Sequence, residues 1–214
     1  SSAASDVYKR QFLNPKPSFA ERLMQYIRAN YFIPDARKFW IKPSVKLLSS
    51  YLDNHKIDVI ITTGPPHSVH LIGHALKKKY GLKWVADFRD PWTNIDYFHQ
   101  LPLTKRSLQK HYDMETMVLK HADAVLVVGK SMKNEFKDRN SEVHVLTNGF
   151  DELRESGKMD LDTHFSMSHI GSMNADRNPV ALWKVLKELV DESNEFANDL
   201  QVKLIGKCAT EVYN

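Results

Sequence analysis

VIITTGPPHSVHLIG, residues 59–73, is the stretch that decides how the chain is read. It opens inside an almost wholly apolar run, IDVIIT (57–62), of the kind that forms a strand covered on both faces. It closes in a helical pattern with Val69, Leu71, Ile72, Ala75 and Leu76 as the apolar positions, stopped by Gly81 in the C′ manner. Between strand and helix stand Thr63, Gly64, Pro65, Pro66, His67 and Ser68. A plain strand-to-helix turn needs only a cap, so this turn reads as one built to hold something.

The same grammar repeats outward. LKWVADF (82–88) is the next strand, followed by RDPW, a polar loop and a long helix over about 104–122. AVLVVG (124–129) is a third buried strand, with Ser131 as the cap of a short helix, and EVHVLTNG (142–149) is a fourth, closed by Asn-Gly. Upstream, Ser18 caps a helix with Phe19, Leu23, Tyr26 and Ile27 on one face. YFIPDARKFW (31–40) is an aromatic connector broken by proline, and a second helix runs from about Pro43. Apolar strands alternating with helices predict an α/β domain with a parallel, doubly wound, Rossmann-like sheet.

Residues 151–163 (DELRESGKMDLDT) are polar and read as a linker. FSMSHIG (165–171), a helix over about 179–190 and LQVKLIGK (200–207) then open a second β-α-β unit. The predicted organisation is therefore 12–150, a linker at 151–163, and a further domain beginning at 164. Residues 1–11, SSAASDVYKRQ, match the frame translation of a transposase sequencing adapter and are set aside as a scar of library preparation.

Composition narrows the function classes. The formal charge of +4 is a mild basic bias and makes no case for nucleic acid. One cysteine, Cys208, excludes an intramolecular disulfide and suits a reducing, cytoplasmic setting. No window reaches the ~18 apolar residues of a membrane span. Lys77, Lys78 and Lys79 read as a solvated last helical turn that complements the helix dipole, with peripheral contact to an anionic membrane as the other reading.

In open α/β sheets ligands bind outside the carboxyl ends of strands. Three loops leave such ends: TGPPHS (63–68), RDPWTN (89–94) and TNGFD (147–151). In the first, Gly64 permits close backbone approach, prolines such as Pro65 stiffen the turn, and His67 and Ser68 stand at a helix N-terminus whose free N–H groups favour an anion or hydroxyl. In the second, Arg89 and Asp90 either pair with each other or orient an acceptor hydroxyl or phosphate, with Trp92 as a flanking wall. Asn148 is the polar candidate of the third. In the second unit, Gly171 and Ser172 are where backbone amides would meet a phosphate, with Arg177 for charge. His67, His70 and His74 share a helical spacing that would suit zinc, but no fourth ligand joins them, and His70 and His74 fall on the polar side. Asp87 and Asp90 as a magnesium pair is an equally weak pattern. No metal and no cofactor is predicted.

The ordered set FIPDARKFWIKPSVKLL, DVIITTGPPHSVHLIG, LKWVADFRDPWTN, ADAVLVVGKSM, VLTNGFD and FSMSHIGSMNADRNP resembles the family 4 glycosyltransferases, closest to the bacterial branch acting in surface-polysaccharide synthesis. The resemblance covers residues 17–207. It implies a GT-B fold, with the acceptor on the N-terminal domain and a nucleotide-sugar as co-substrate on the C-terminal one. It also implies retaining, metal-independent transfer to a glycan or lipid-linked acceptor, on the cytoplasmic side of the plasma membrane. Arg89, Asp90 and His67 then take the catalytic places. Gly64, Pro65, Ser68, Trp92 and Asn148 face the acceptor, and Gly171, Ser172 and Arg177 the donor diphosphate. The sequence departs from the family pattern in two places: Arg89-Asp90 stands where a histidine is common, and Ser172 where an arginine usually follows the glycine. The glycine-rich loop and paired glutamates of the family would lie before residue 12 and after residue 214, so the chain alone is expected to lack transferase activity, with strand 57–62 a sticky edge. The alternatives are a non-catalytic Rossmann-like module binding a nucleotide or glycan, and a GT-B sugar-nucleotide epimerase.

Overall fold

The computed structural model describes residues 18–151 and 161–213. The adapter segment at 1–11, residues 12–17 and most of the expected linker, 152–160, lie outside the described residues. The chain divides into two compact units, one ending at Phe150 and the other starting at Asp151.

The first unit begins with α1 (Phe19–Tyr31), whose capping box is complete: Ser18 Oγ accepts from Glu21 N and Glu21 Oε2 accepts from Ser18 N. A 3-10 turn over Lys38–Trp40 leads into α2 (Ile41–Leu52). Then come β1 (Val59–Gly64), α3 (Ser68–Tyr80), β2 (Lys83–Phe88), α4 (Lys105–His121), β3 (Ala124–Val127), α5 (Lys130–Phe136) and β4 (Val143–Val145). Gly81 ends α3 at φ 68° in the left-handed region, as its place in the sequence demands. Thr104 caps α4 by accepting from Ser107 N at 3.1 Å. Gly129, not Ser131, stands at the cap of α5, and no side chain caps that helix. The fourth strand stops at Val145, short of Asn-Gly.

All four strands are parallel in the order β1-β2-β3-β4. An order that advances in one direction, joined by crossovers of one hand, puts every helix on the same face. The contacts bear this out. His70 and Gly73 of α3 meet Thr62 and Trp84, and Val118, Leu119, Met132 and Phe136 of α4 and α5 share one core with Ala86, Phe88, Val125 and Val127. Trp84, Phe88 and Phe136 are fully buried there, each side chain contributing about 1.5–3 kcal/mol of transfer free energy.

The opposite face is different. Ile61 pairs with Val85 and Val85 with Ala124 along it, yet Val59 is 48 % exposed and Ile61 63 %. The expectation of a first strand covered on both faces is corrected: among the described residues the sheet is covered on one. This is one half of a doubly wound plan.

The second unit is β5 (Ser166–Ile170), α6 (Val180–Glu192), α7 (Asn194–Asp199) and β6 (Gln201–Ile205), with β5 and β6 parallel. Leu186 of α6 is buried.

Candidate functional site

The loop after β1 is shorter than its motif. Thr63 and Gly64 belong to the strand, and Ser68 is already the first residue of α3. Ser68 is therefore not the cap. The carboxylate that serves the helix end comes from the aromatic connector: Asp35 Oδ2 accepts from Ser68 N at 2.7 Å, and its Oδ1 accepts from Arg37 N at 2.8 Å. Val69 N and His70 N donate to the Pro66 and His67 carbonyls. The helix N-terminus expected to offer free N–H groups to an anion is thus already filled by an anion of the chain itself.

Gly64 is needed for a different reason than ligand approach. It is buried, and a Cβ there would lie 2.6 Å from His70 Nε2 and 3.3 Å from His67 Nδ1. His70 is fully buried rather than on a polar side, with Nδ1 2.9 Å from Thr62 Oγ1, which also accepts from Trp84 Nε1 at 2.8 Å. Its ring stacks on Phe88. His74 is half-buried, its ring between Trp84 and His121. His67 lies flat on Trp92. Burial pulls both His67 and His70 down to a pKa of about 3. At His67 a hydrogen bond to the Pro91 backbone opposes that shift and the neighbouring His111 adds to it. Both imidazoles are neutral at physiological pH. His67 Nδ1, His70 Nε2 and Ser68 Oγ are buried without a hydrogen-bond partner. These groups build the wall of the loop, with Gly64 and Ser68 buried in it and His67 half-buried. Pro65 is exposed at the tip.

The second loop is held down at Arg89, Trp92, Thr93 and Asn94. Arg89 does not pair with Asp90. Its guanidinium donates to Asp87 Oδ1 at 3.1 Å, to the Leu146 carbonyl at 3.1 Å and to Asn148 Oδ1, while its N–H donates to the Gly64 carbonyl at 2.9 Å. One residue thereby ties together the carboxyl ends of β1, β2 and β4. Asp87 is spent in that contact, so it forms no magnesium pair with Asp90, which is exposed. Trp92, expected to offer a surface, is 2 % exposed. It donates from Nε1 to His111 Nδ1 at 3.1 Å. Burial lowers His111 to about 4, with Lys110 adding to the shift. Thr93 donates through N and Oγ1 to Glu115, a carboxylate 1 % exposed that also accepts from Arg139 at 2.7 Å. Asn94 donates to Glu135.

Asp35, His111, Glu115 and Arg139 were invisible as site residues in the sequence. His111 and Glu115 stand four apart on the buried side of α4, the only local signal they carry. Asp90, Pro65 and Asn148 are the expected site residues that remain at the exposed sheet edge, with Arg89 half-buried behind them. Among the described residues no group of three His, Cys, Asp or Glu side chains is placed to hold a metal ion.

In the second unit, β5 and β6 end in matched glycine turns. Gly171 has φ 137° and Gly206 φ 139°. A Cβ on Gly206 would lie 2.1 Å from the Gly171 carbonyl oxygen, so the two turns touch only because residue 206 is glycine. The Gly171 N–H expected to meet a phosphate donates instead to the Ile205 carbonyl at 2.8 Å, and Met173 N donates to Lys207. Ser172 is exposed at the turn, and Arg177 is exposed in a 3-10 turn beyond it. Beyond the glycines, Asn178 joins the 3-10 turns Ala175–Arg177 and Thr210–Val212, donating to the Glu211 carbonyl and accepting from Trp183 Nε1.

The family model described as Glycosyltransferase Family 4 matches residues 9–154. That span takes in every strand and loop of the first unit, and the β5–β6 unit lies outside it. No curated protein matches the chain.

Proposed function

The chain belongs to Glycosyltransferase Family 4, and on that premise we propose that it serves transfer of a sugar from a nucleotide-sugar donor to a glycan or lipid-linked acceptor in bacterial surface-polysaccharide synthesis. The observation that carries the site assignment is Arg89. By drawing the carboxyl ends of three strands together it makes one continuous rim from loops far apart in sequence. On that rim Asp90, Pro65 and Asn148 are the groups that would meet an acceptor. Asp90 is the exposed carboxylate able to orient a hydroxyl. Arg89, committed to the strand ends, is a positioning residue.

In the second unit Ser172 and Arg177, both exposed, are the groups read as meeting a donor diphosphate, while the Gly171 amide is engaged in the sheet. Transfer is read as retaining and metal-independent, with departing diphosphate charge met by such donors and the acceptor hydroxyl held beside the anomeric carbon. The reading places the protein in the cytoplasm, at the inner face of the plasma membrane, where lipid-linked acceptors are found.

A panel of UDP-, GDP- and dTDP-sugars tests this, with binding by calorimetry and turnover by nucleotide release. Binding of one donor class that weakens on Arg177→Ala supports the donor assignment. Binding without turnover in the intact gene product, under all acceptors tried, turns the reading to a non-catalytic binding module. No binding of any nucleotide-sugar overturns it.

A further inference from the structure

His74 shares a helical spacing with His67 and His70, but the fold gives it a different neighbour. It lies on α3, and His121 is the last residue of α4. Their ring centres are 5.0 Å apart and their planes stand at 75°. Two imidazoles that each bring a nitrogen to about 2.0–2.1 Å from one tetrahedral ion have ring centres about 5 Å apart. The pair therefore stands at the spacing of two ligands of one metal, on two helices packed against the same sheet.

The protonation of the two rings suits that use. His121 Nδ1 lies 2.8 Å from the Met117 carbonyl oxygen. A carbonyl only accepts, so Nδ1 carries the proton and Nε2 the lone pair. A backbone carbonyl on the far ring nitrogen is what orients and polarises a metal-bound histidine. His74 is half-buried, with its ring between Trp84 and His121. Burial lowers its pKa, and the charges of His121, Lys78 and Lys77 add to the shift. Its imidazole is neutral at physiological pH, the form that ligates.

The surrounding charges leave room for a cation. Lys77 is held by Asp123 at 2.6 Å, and Lys83 reaches the same carboxylate at 3.5 Å. Lys78 is exposed. His121 closes α4, where free carbonyls give the helix end a negative partial charge. The pair sits at the other end of the sheet from the rim of Asp90, Pro65 and Asn148. That rim lies at the carboxyl ends of the strands, whereas His121 comes just before Ala124, the first residue of β3.

We propose that His74 and His121 form a two-histidine site for a late first-row divalent cation, Zn²⁺ or Cu²⁺, with water completing the shell on the exposed side of His121. Imidazole suits these ions, and Mg²⁺ prefers oxygen ligands. The ion pins α3 to α4 and closes the stretch 74–121, which holds β2 and the loop RDPWTN. Its work is to stiffen the first unit, apart from any sugar transfer, and the proposal does not rest on the transferase reading.

The whole chain, stripped of metal with a chelator, is titrated with Zn²⁺ in a calorimeter, with Mg²⁺ as the hard-cation control. Binding of one Zn²⁺ per chain and no Mg²⁺ is expected. His74→Gln and His121→Gln each weaken Zn²⁺ binding at least about tenfold, the least that loss of even an outer-shell contact costs. His144→Gln, at an exposed histidine of β4, leaves it unchanged. Zn²⁺ raises the thermal unfolding midpoint of the parent and not that of His121→Gln. His121 is exposed, so that variant keeps its fold and decides the matter where His74→Gln unfolds. Absence of Zn²⁺ binding, equal binding of Mg²⁺, full affinity in His121→Gln, or equal loss in His144→Gln overturns the proposal.

Discussion

His67 and Trp92 lie face to face, their ring centres 4.8 Å apart and their planes 4° from parallel. Each belongs to a different strand-end loop, so the stack couples the turn after β1 to the loop after β2. The indole nitrogen reaches on to His111, and the His67 ring reaches Pro91. The arrangement works only with uncharged imidazoles.

Acid should therefore undo it. His67 and His70 stand at about 3 and His111 at about 4 in the folded chain, against about 6.5 when unfolded. Their folded values are depressed, so between those limits the unfolded chain binds more protons and folding weakens as pH falls. Stability is fully present above about 6.5 and declines toward about 4, by up to about 1.4 kcal/mol per pH unit for each histidine. Urea midpoints measured from pH 7.5 to 5 should fall steadily, and a flat profile would contradict the burial of all three.

Asp35→Ala removes the carboxylate that receives Ser68 N and leaves the start of α3 uncapped. A loss of about 1 kcal/mol is expected, within the range of cap deletions. Asp35→Asn should retain much of the stability, because an amide oxygen can still accept. The two thermal unfolding curves, set beside that of the parent, decide the matter.

Glu115→Ala leaves Thr93 N and the Arg139 guanidinium without their buried acceptor. About 3 kcal/mol of destabilisation is expected, at the lower end for broken buried pairs because Arg139 keeps access to water. Glu115→Leu with Arg139→Met should cost less than Glu115→Ala alone. A double variant worse than the single one would show that the pair stabilises beyond its own satisfaction.

Gly206→Ala brings a methyl group to 2.1 Å from the Gly171 carbonyl oxygen at a φ of 139°. The second unit should lose at least about 2 kcal/mol. Gly81→Ala, at φ 68° with open space around it, should cost about 1 kcal/mol. Trp183, the tryptophan of the second unit, reports the first loss in a variant with Trp40, Trp84 and Trp92 replaced by Phe, and far-UV circular dichroism reports the second.

The strands and their parallel sense were legible because apolar runs bounded by glycine and proline alternate with helices. The helix ends at Ser18, Thr104 and Gly81 were legible for the same reason. Contacts between distant residues were not. His70 reads as polar on a helical wheel, and only the strand at Thr62 and the ring of Phe88 turn it inward. Ser68 reads as a cap because nothing near it announces an aspartate 33 residues upstream. Arg89 and Asp90 read as a pair because they are adjacent, but a strand end points neighbouring side chains apart, and Arg89 finds Asp87 and Asn148. Gly206 reads as a strand terminus until the turn at Gly171 is laid against it.

The cap on α3 has a consequence for anyone who would transplant the TGPPHS turn into another scaffold. Its shape is not written in its own six residues. The carboxylate comes from residue 35, the plate from residue 92, the inner pin from residue 62, and the steadying imidazole behind the plate from residue 111. A graft of residues 63–68 alone would carry the prolines and lose the conformation, and a recipient scaffold would have to take residue 62 with the strand and import three separate segments, around residues 35, 92 and 111, to keep it. Variation in this turn is for that reason tethered to variation at positions far along the chain, and the turn is better regarded as a joint than as a module.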